Sequence, residues 1–293
     1  MMPLSHSLAA ILVTAIWGLS FVVIKLGVGT TPPLLLAALR FLFAALPAVL
    51  FVPVPKTDWR NVVGYGFFLG VAQFGLLFAA IALGMPASLA SVVMQAQVFF
   101  TILFATILMG ERPKPHQAAG GFIACLGLVL IAWPRLTGGG AVPFLMTVGA
   151  AAAWGVANII SKRAGRVDML GFIVWSSLVA PLPLLGLSLW LDGPVRVMEA
   201  LVHIDAGTLG AVAYLAYPTT IFAFGIWAYL LSRHPAATVT PFALLVPVAG
   251  ILGSVLILGE SVQPLEALGG AVIVAGLALN VLGSRLLGRR RIV

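Results

Sequence analysis

The chain has 293 residues, of which 61% are apolar and 8% charged, and a formal net charge of +8. A soluble domain carries about 25% charged residues, so this composition cannot cover a water-facing surface. It excludes a soluble enzyme, a nucleic-acid-binding domain and a disordered chain, and it calls for lipid as the solvent.

Ten apolar runs follow one another, at about 8–28, 33–53, 62–84, 87–109, 117–133, 143–161, 169–191, 207–231, 236–258 and 265–283. Each approaches the roughly 20 residues that a helix needs to cross a bilayer. The first run follows MMPLSHS, which has no basic stretch, and no small-residue cleavage site comes after it. It reads as a retained helix rather than a signal peptide. Pro181, Pro183, Pro241 and Pro247 fall inside runs and predict kinks. The longest break, LDGPVRVMEALVHIDAG, is semi-polar and is expected along the membrane surface. The lone cysteine, Cys125, permits no intramolecular disulfide.

The cations set an orientation. With a cytoplasmic N-terminus, Lys56, Arg60, Arg112, Lys114, Lys162, Arg163, Arg166, Arg233, Arg285, Arg289, Arg290 and Arg291 lie inside. Only Lys25, Arg135 and Arg196 lie at outer ends, and Arg40 is left within the membrane. Ten helices put the C-terminus inside as well, where RLLGRRR would meet anionic headgroups.

The chain also repeats itself. AIWGLSFVVIK (15–25) lies over AAWGVANIISK (152–162) at an offset of 137, pairing Trp17, Gly18 and Lys25 with Trp154, Gly155 and Lys162. Residues 86–121 lie over 235–270 at an offset of 149, pairing Pro86 with Pro235, Gly110-Glu111 with Gly259-Glu260, and Gly120-Gly121 with Gly269-Gly270. The growth in offset places an insertion in the 192–206 break. Two units are therefore expected, 1–137 and 138–293, each with five helices. An odd helix count makes the second unit enter the membrane in the opposite sense. The predicted fold is all-α and integral to the membrane: ten helices in two inverted five-helix repeats, an arrangement that secondary transporters use.

WGLSFVVIK, PPLLLAALRF, MPASLASVVMQAQVFF and GER, in this order and spacing, resemble the EamA family of the drug/metabolite transporter superfamily. The resemblance spans nearly the whole chain. It is nearest to the cysteine and O-acetylserine exporter branch, with the YddG-type aromatic amino-acid exporters as the alternative. It implies a central cavity and export of amino acids or related metabolites across the bacterial inner membrane. Cationic drugs are a further implied ligand class. Membrane lipid is the expected surrounding and nucleic acid is not a partner. No cofactor and no metal is expected, and the oligomeric state is left open.

All eight acidic residues and all four histidines fall in breaks or at run ends. Proton relays and intramembrane hydrolases need such groups in mid-membrane, so neither is expected. No GxxxxGK[ST] loop is present, which argues against ATP hydrolysis. A carrier with a largely neutral cavity remains, working by alternating access. A passive channel or a lipid or drug flippase of the same architecture is the alternative.

The candidate cavity residues are the polar and aromatic groups deep in the runs. Arg40 can pair with a substrate carboxylate, or it can serve structure by snorkelling or bonding carbonyls. Trp17 and Trp154 are repeat-equivalent, as are Phe21 and Asn158 one turn on. Gln73, Gln95 and Gln97 can each donate and accept, which suits a zwitterion. The position equivalent to Arg40 in the second repeat falls near Ser176 and Ser177, which are polar but neutral. Phe74, Phe78 and Trp175 are candidate apolar walls, with helix packing as the alternative role.

Overall fold

The computed structural model describes residues 2–234 and 236–288. Pro235 and the arginines at 289–291 lie outside the described residues. Ten helices are long and apolar enough to cross a membrane. They are α1 (Leu4–Gly27), α2 (Pro33–Leu50), α3 (Trp59–Ala82), α4 (Ala87–Met109), α5 (Pro115–Thr137), α6 (Ala141–Arg163) and α7 (Met169–Leu191), then α9 (Ala206–Arg233), α10 (Thr240–Leu258) and α11 (Pro264–Gly288). Among the described residues there is no strand. The extra helix, α8 (Pro194–Val202), occupies the semi-polar break.

Turn chemistry sets the helix boundaries. Asp58, Asp168 and Asp205 cap α3, α7 and α9 by accepting the backbone N–H of Arg60, Gly171 and Thr208. Proline opens α2 and α5, where a missing N–H costs nothing. α4 and α10 both stop at a left-handed glycine, Gly110 (φ 67°) and Gly259 (φ 65°). The next N–H in each case, of Glu111 and Glu260, bonds a carbonyl six residues back at 3.2 Å.

Several spans depart from ideal helix. α3 carries a π-helical stretch at Gly66–Gln73, and α9 carries one at Tyr217–Phe222. α4 tightens to 3-10 geometry at Met94–Ala96. Pro241 lies in a 3-10 stretch, Thr240–Leu244, so α10 starts there rather than at 236, after a short turn of helix at Ala236–Val239. α7 is interrupted at 178–180, just ahead of Pro181 and Pro183, whereas Pro247 is carried inside its helix.

Counting spans gives the molecule two ends. The terminal face carries the connections at 51–58, 110–114 and 164–168, together with residues 234 and 236–239. The distal face carries those at 28–32, 83–86, 138–140, 192–205 and 259–263. Interhelix bonds tie each face. Thr31 bonds Thr208 at 2.8 Å on the distal face, and His6 meets His234 at 2.6 Å on the terminal one.

α5 and α11 cross most closely. A Cβ on Gly120 would lie 2.6 Å from the Gly276 carbonyl oxygen, and one on Gly127 would lie 2.6 Å from that of Gly269. Only glycine lets two backbones approach so far. The earlier glycine of one helix meets the later glycine of the other, so the pair is antiparallel. At the distal end of this pair Arg135 Nη2 lies 2.6 Å from Glu266 Oε1, an ion pair by distance that lacks hydrogen-bond geometry. The remaining spans enclose one large apolar core that includes Phe21, Leu36, Phe41, Phe78, Met94, Phe144 and Leu215.

Candidate functional site

Arg40 is the most constrained polar group in the interior. It sits in α2 and is 2% exposed. Its guanidinium carbon lies 3.8 Å from the Phe74 ring centroid and 5.2 Å from that of Phe41. Such desolvated cation–π stacking contributes about 2 kcal/mol. Nη2 donates to Thr220 Oγ1 at 3.3 Å, whereas Nε and Nη1 are buried with no partner in the protein. The guanidinium therefore stacks on a ring and neither snorkels nor bonds a carbonyl. The π-helical geometry of α9 presents Thr220, whose own hydroxyl donates to the Leu215 carbonyl at 2.9 Å.

Other unpartnered groups belong to the segments around Arg40. Gln73, beside Phe74, has a buried Oε1 with no donor, and Ser176 Oγ and Thr219 Oγ1 are likewise unpaired. α2 packs against both the 169–177 and 217–222 segments. Ser176 lines a void with Phe41, Tyr65, Gly66, Leu69, Gly70, Ile173 and Ser177. The void is about 10 Å³, close to the smallest that admits one water and too small for an amino acid. Phe74 meets Phe41 edge-on at 5.3 Å and Phe78 at 6.1 Å, and Phe78 is fully buried in the core.

A second polar group lies toward the terminal face. Asn158 of α6 donates to Gln97 Oε1 at 2.7 Å and to Thr101 Oγ1 at 2.9 Å, both on α4. All three side chains are half-buried, as is Trp154 one turn earlier. Trp17 occupies the equivalent place in α1. Its indole N–H donates to the Thr219 carbonyl at 3.1 Å, and its ring packs at 5.1 Å from Phe224 and 5.2 Å from Trp227.

Three candidates are committed elsewhere. Phe21 is buried in the apolar core. Gln95 is buried on the Met94–Ala96 turn of α4, which packs against α6 and α11. Trp175 donates to the Val52 carbonyl at 3.2 Å and packs on Trp59, which places it at the terminal end of α7. Thr101, Thr219 and Thr220 join the polar groups without having been singled out in the sequence. The signal was present in YPTTIF, a proline followed by two hydroxyls inside an apolar run.

At the distal rim, Asp205 is held below its ordinary value by the backbone N–H and side chain of Thr208. Among the described residues, no three His, Cys, Asp or Glu side chains converge on a metal-sized site.

The sequence pattern of the EamA-like transporter family matches this chain twice, at residues 4–133 and 142–282. A protein of Escherichia coli (strain K12) named "Probable amino-acid metabolite efflux pump" is 42% identical over 282 residues, covering 94% of both chains. Its namesake in Salmonella typhimurium is 41% identical with the same coverage. A "Probable terminal-alkyne amino-acid exporter" of Streptantibioticus cattleyicolor is 28% identical over 99% of this chain and 97% of its own. One solved crystal structure shares the fold at TM-score 0.66 and 24% identity, covering 99% of this chain and 98% of its own.

Proposed function

The chain belongs to the EamA-like transporter family, and from that membership we propose that it exports amino acids and related small metabolites by alternating access. It is a transporter, a multi-pass protein of the bacterial inner membrane. Its relatives are named for amino-acid metabolites and amino acids, which supports that substrate class here. The proposed repeats are 1–137 and 138–293, with both termini cytoplasmic.

Arg40 is the observation that carries the reading. A buried guanidinium with two unused donors is costly unless something pairs with it. A substrate carboxylate fits as the missing acceptor for the Nε or Nη1 donors. Gln73 Oε1 and the Ser176 and Thr219 hydroxyls offer neutral acceptors for the ammonium. Phe41, Phe74 and Trp17 supply apolar contact. The void beside Ser176 is too small for such a ligand, so binding requires the helices to part, as alternating access demands. Trp154, Asn158 and Gln97 then line the path to the terminal face, and Phe21, Phe78 and Gln95 line it only when the distal half opens.

Counterflow in proteoliposomes tests this. Trans-loaded neutral amino acids should accelerate uptake of a labelled amino acid, and their decarboxylated amines should not. Equal acceleration by amines would remove the carboxylate reading. Loss of flux on collapse of the proton gradient would remove the uncoupled carrier.

A further inference from the structure

Glu111 and Glu260 hold equivalent places, each directly after a left-handed glycine and each with the same backbone bond. Their carboxylates are used differently. Glu260, on the distal face, accepts the backbone N–H of Ala87 at 2.8 Å and of Ser88 at 3.0 Å, and the Ser88 hydroxyl at 2.6 Å. It fastens the end of α10 over the start of α4. Glu111, on the terminal face, instead takes Lys162 Nζ at 2.5 and 2.6 Å. The repeat counterpart of Lys162 is Lys25. On the distal face Lys25 donates to the Ile81 carbonyl at 3.3 Å and leaves Glu260 to the α4 N-terminus.

Packing follows the same asymmetry. Residues 87–93 pack along 245–258. The equivalent packing of 236–242 on 97–109 is nearly absent among the described residues.

We propose that the two glutamates are reciprocal latches. In the conformer described here the distal latch is fastened and the terminal latch is open. In the other conformer Glu260 moves to Lys25, and Glu111 moves to the backbone N–H groups at 236–237. Each carboxylate trades a helix start for a lysine, so neither is left unpaired in either state. The inference rests on the alternating-access reading above. The latches are unequal: Ser88 adds a hydroxyl donor, and its counterpart Ala237 has none. A hydrogen bond to a charged group of this kind biases the wild-type chain toward the distal-closed state by about tenfold or more.

The test uses the full chain in liposomes with Cys125→Ser and spin labels in pairs, Leu83 with Ser261 on the distal face and Arg112 with Ser232 on the terminal face. Distance distributions report the two populations without substrate. Lys162→Gln removes the partner Glu111 uses when the terminal latch is open. It should shift the population toward the distal-open state by about two- to fivefold, the size of an exposed ion pair. Lys25→Gln should shift it the other way, and Lys162→Arg should restore the wild-type distribution. Ser88→Ala should favour the distal-open state by about tenfold. Lys162 and Glu111 are exposed, so their variants keep the fold. Equal shifts in one direction for both lysines, or no shift, would overturn the latches alone. Label pairs that never exchange in any variant or with amino acid present would overturn the latches together with the alternating-access reading beneath them.

Discussion

The first ten residues of α4 and their counterparts leading into α10 hold equivalent places in the sequence repeat and have different surroundings. Ala87 to Ala96 are buried without exception. In the second repeat, Thr238 and residues 240–244 are half-buried, Leu245 is exposed and Val239 is enclosed. The local backbone does not explain this, because both segments pass through a 3-10 turn and both helices end at a left-handed glycine. What differs is the neighbour. α4 begins under Glu260 and sets its Ser91 against Gly250, whereas the counterpart segment, among the described residues, lacks the packing that Gln97–Met109 would give it. Repeat-equivalent positions in unequal packing are what the proposed alternating access expects of one of its two states.

The comparison is broken most forcefully at Gly250. A Cβ there would lie 2.5 Å from Ser91 Cβ, and its counterpart in α4 is Thr101, which already carries a side chain. Gly250→Leu should wedge the distal seam apart and cost about 3 kcal/mol from overpacking. The thermal midpoint in detergent should fall sharply, whereas Thr101→Gly should move it far less. Equal effects would mean the two seams are packed alike.

Arg40 separates function from stability at the centre, where neither face dominates. Arg40→Leu should lower counterflow by about a hundredfold, corresponding to about 2.7 kcal/mol, and leave the thermal midpoint unchanged or raised, because an unpaired buried charge is removed. A collapse of stability with it would assign Arg40 to structure instead.

Asn158→Ala tests the half-buried side. It frees Gln97 and Thr101 in a half-buried region, so it should cost about 1 kcal/mol, measured by denaturant unfolding. A loss of several kcal/mol would mean this half is as closed as the other.

Asp205 gives the smallest effect. Its carboxylate is held below its usual range by Thr208, so its cap contributes above the ordinary carboxylate pKa and is lost as pH falls through the lowered value. Unfolding midpoints should therefore drop on the acid side. Asp205→Ser keeps a cap and should flatten that slope.

Much of the fold was legible because lipid imposes it. Ten runs, their glycines and their repeat offset come from residue type and spacing, and the observed ends fall within a few residues of those runs. The start of α10 moved because Pro241 admits a 3-10 turn. The unpaired state of Arg40 was not legible, since it depends on which ring and hydroxyl fold over it. Trp17 and Trp154 are equivalent in sequence, yet Trp17 donates to the Thr219 carbonyl, which the π-helical stretch of α9 leaves available. The two Gly-Glu pairs announced the repeat but not the different partners that the two carboxylates take.

Phe21 and Asn158 allow the most direct test, being equivalent positions on the distal and terminal halves. In a Cys125→Ser background, Phe21→Cys and Asn158→Cys are exposed in liposomes to a membrane-impermeant thiol reagent. The structure predicts that Asn158→Cys reacts at least about tenfold faster, a difference of about 1.4 kcal/mol in effective access. Phe21→Cys reacting as fast or faster would contradict a carrier closed at its distal face and open at its terminal one.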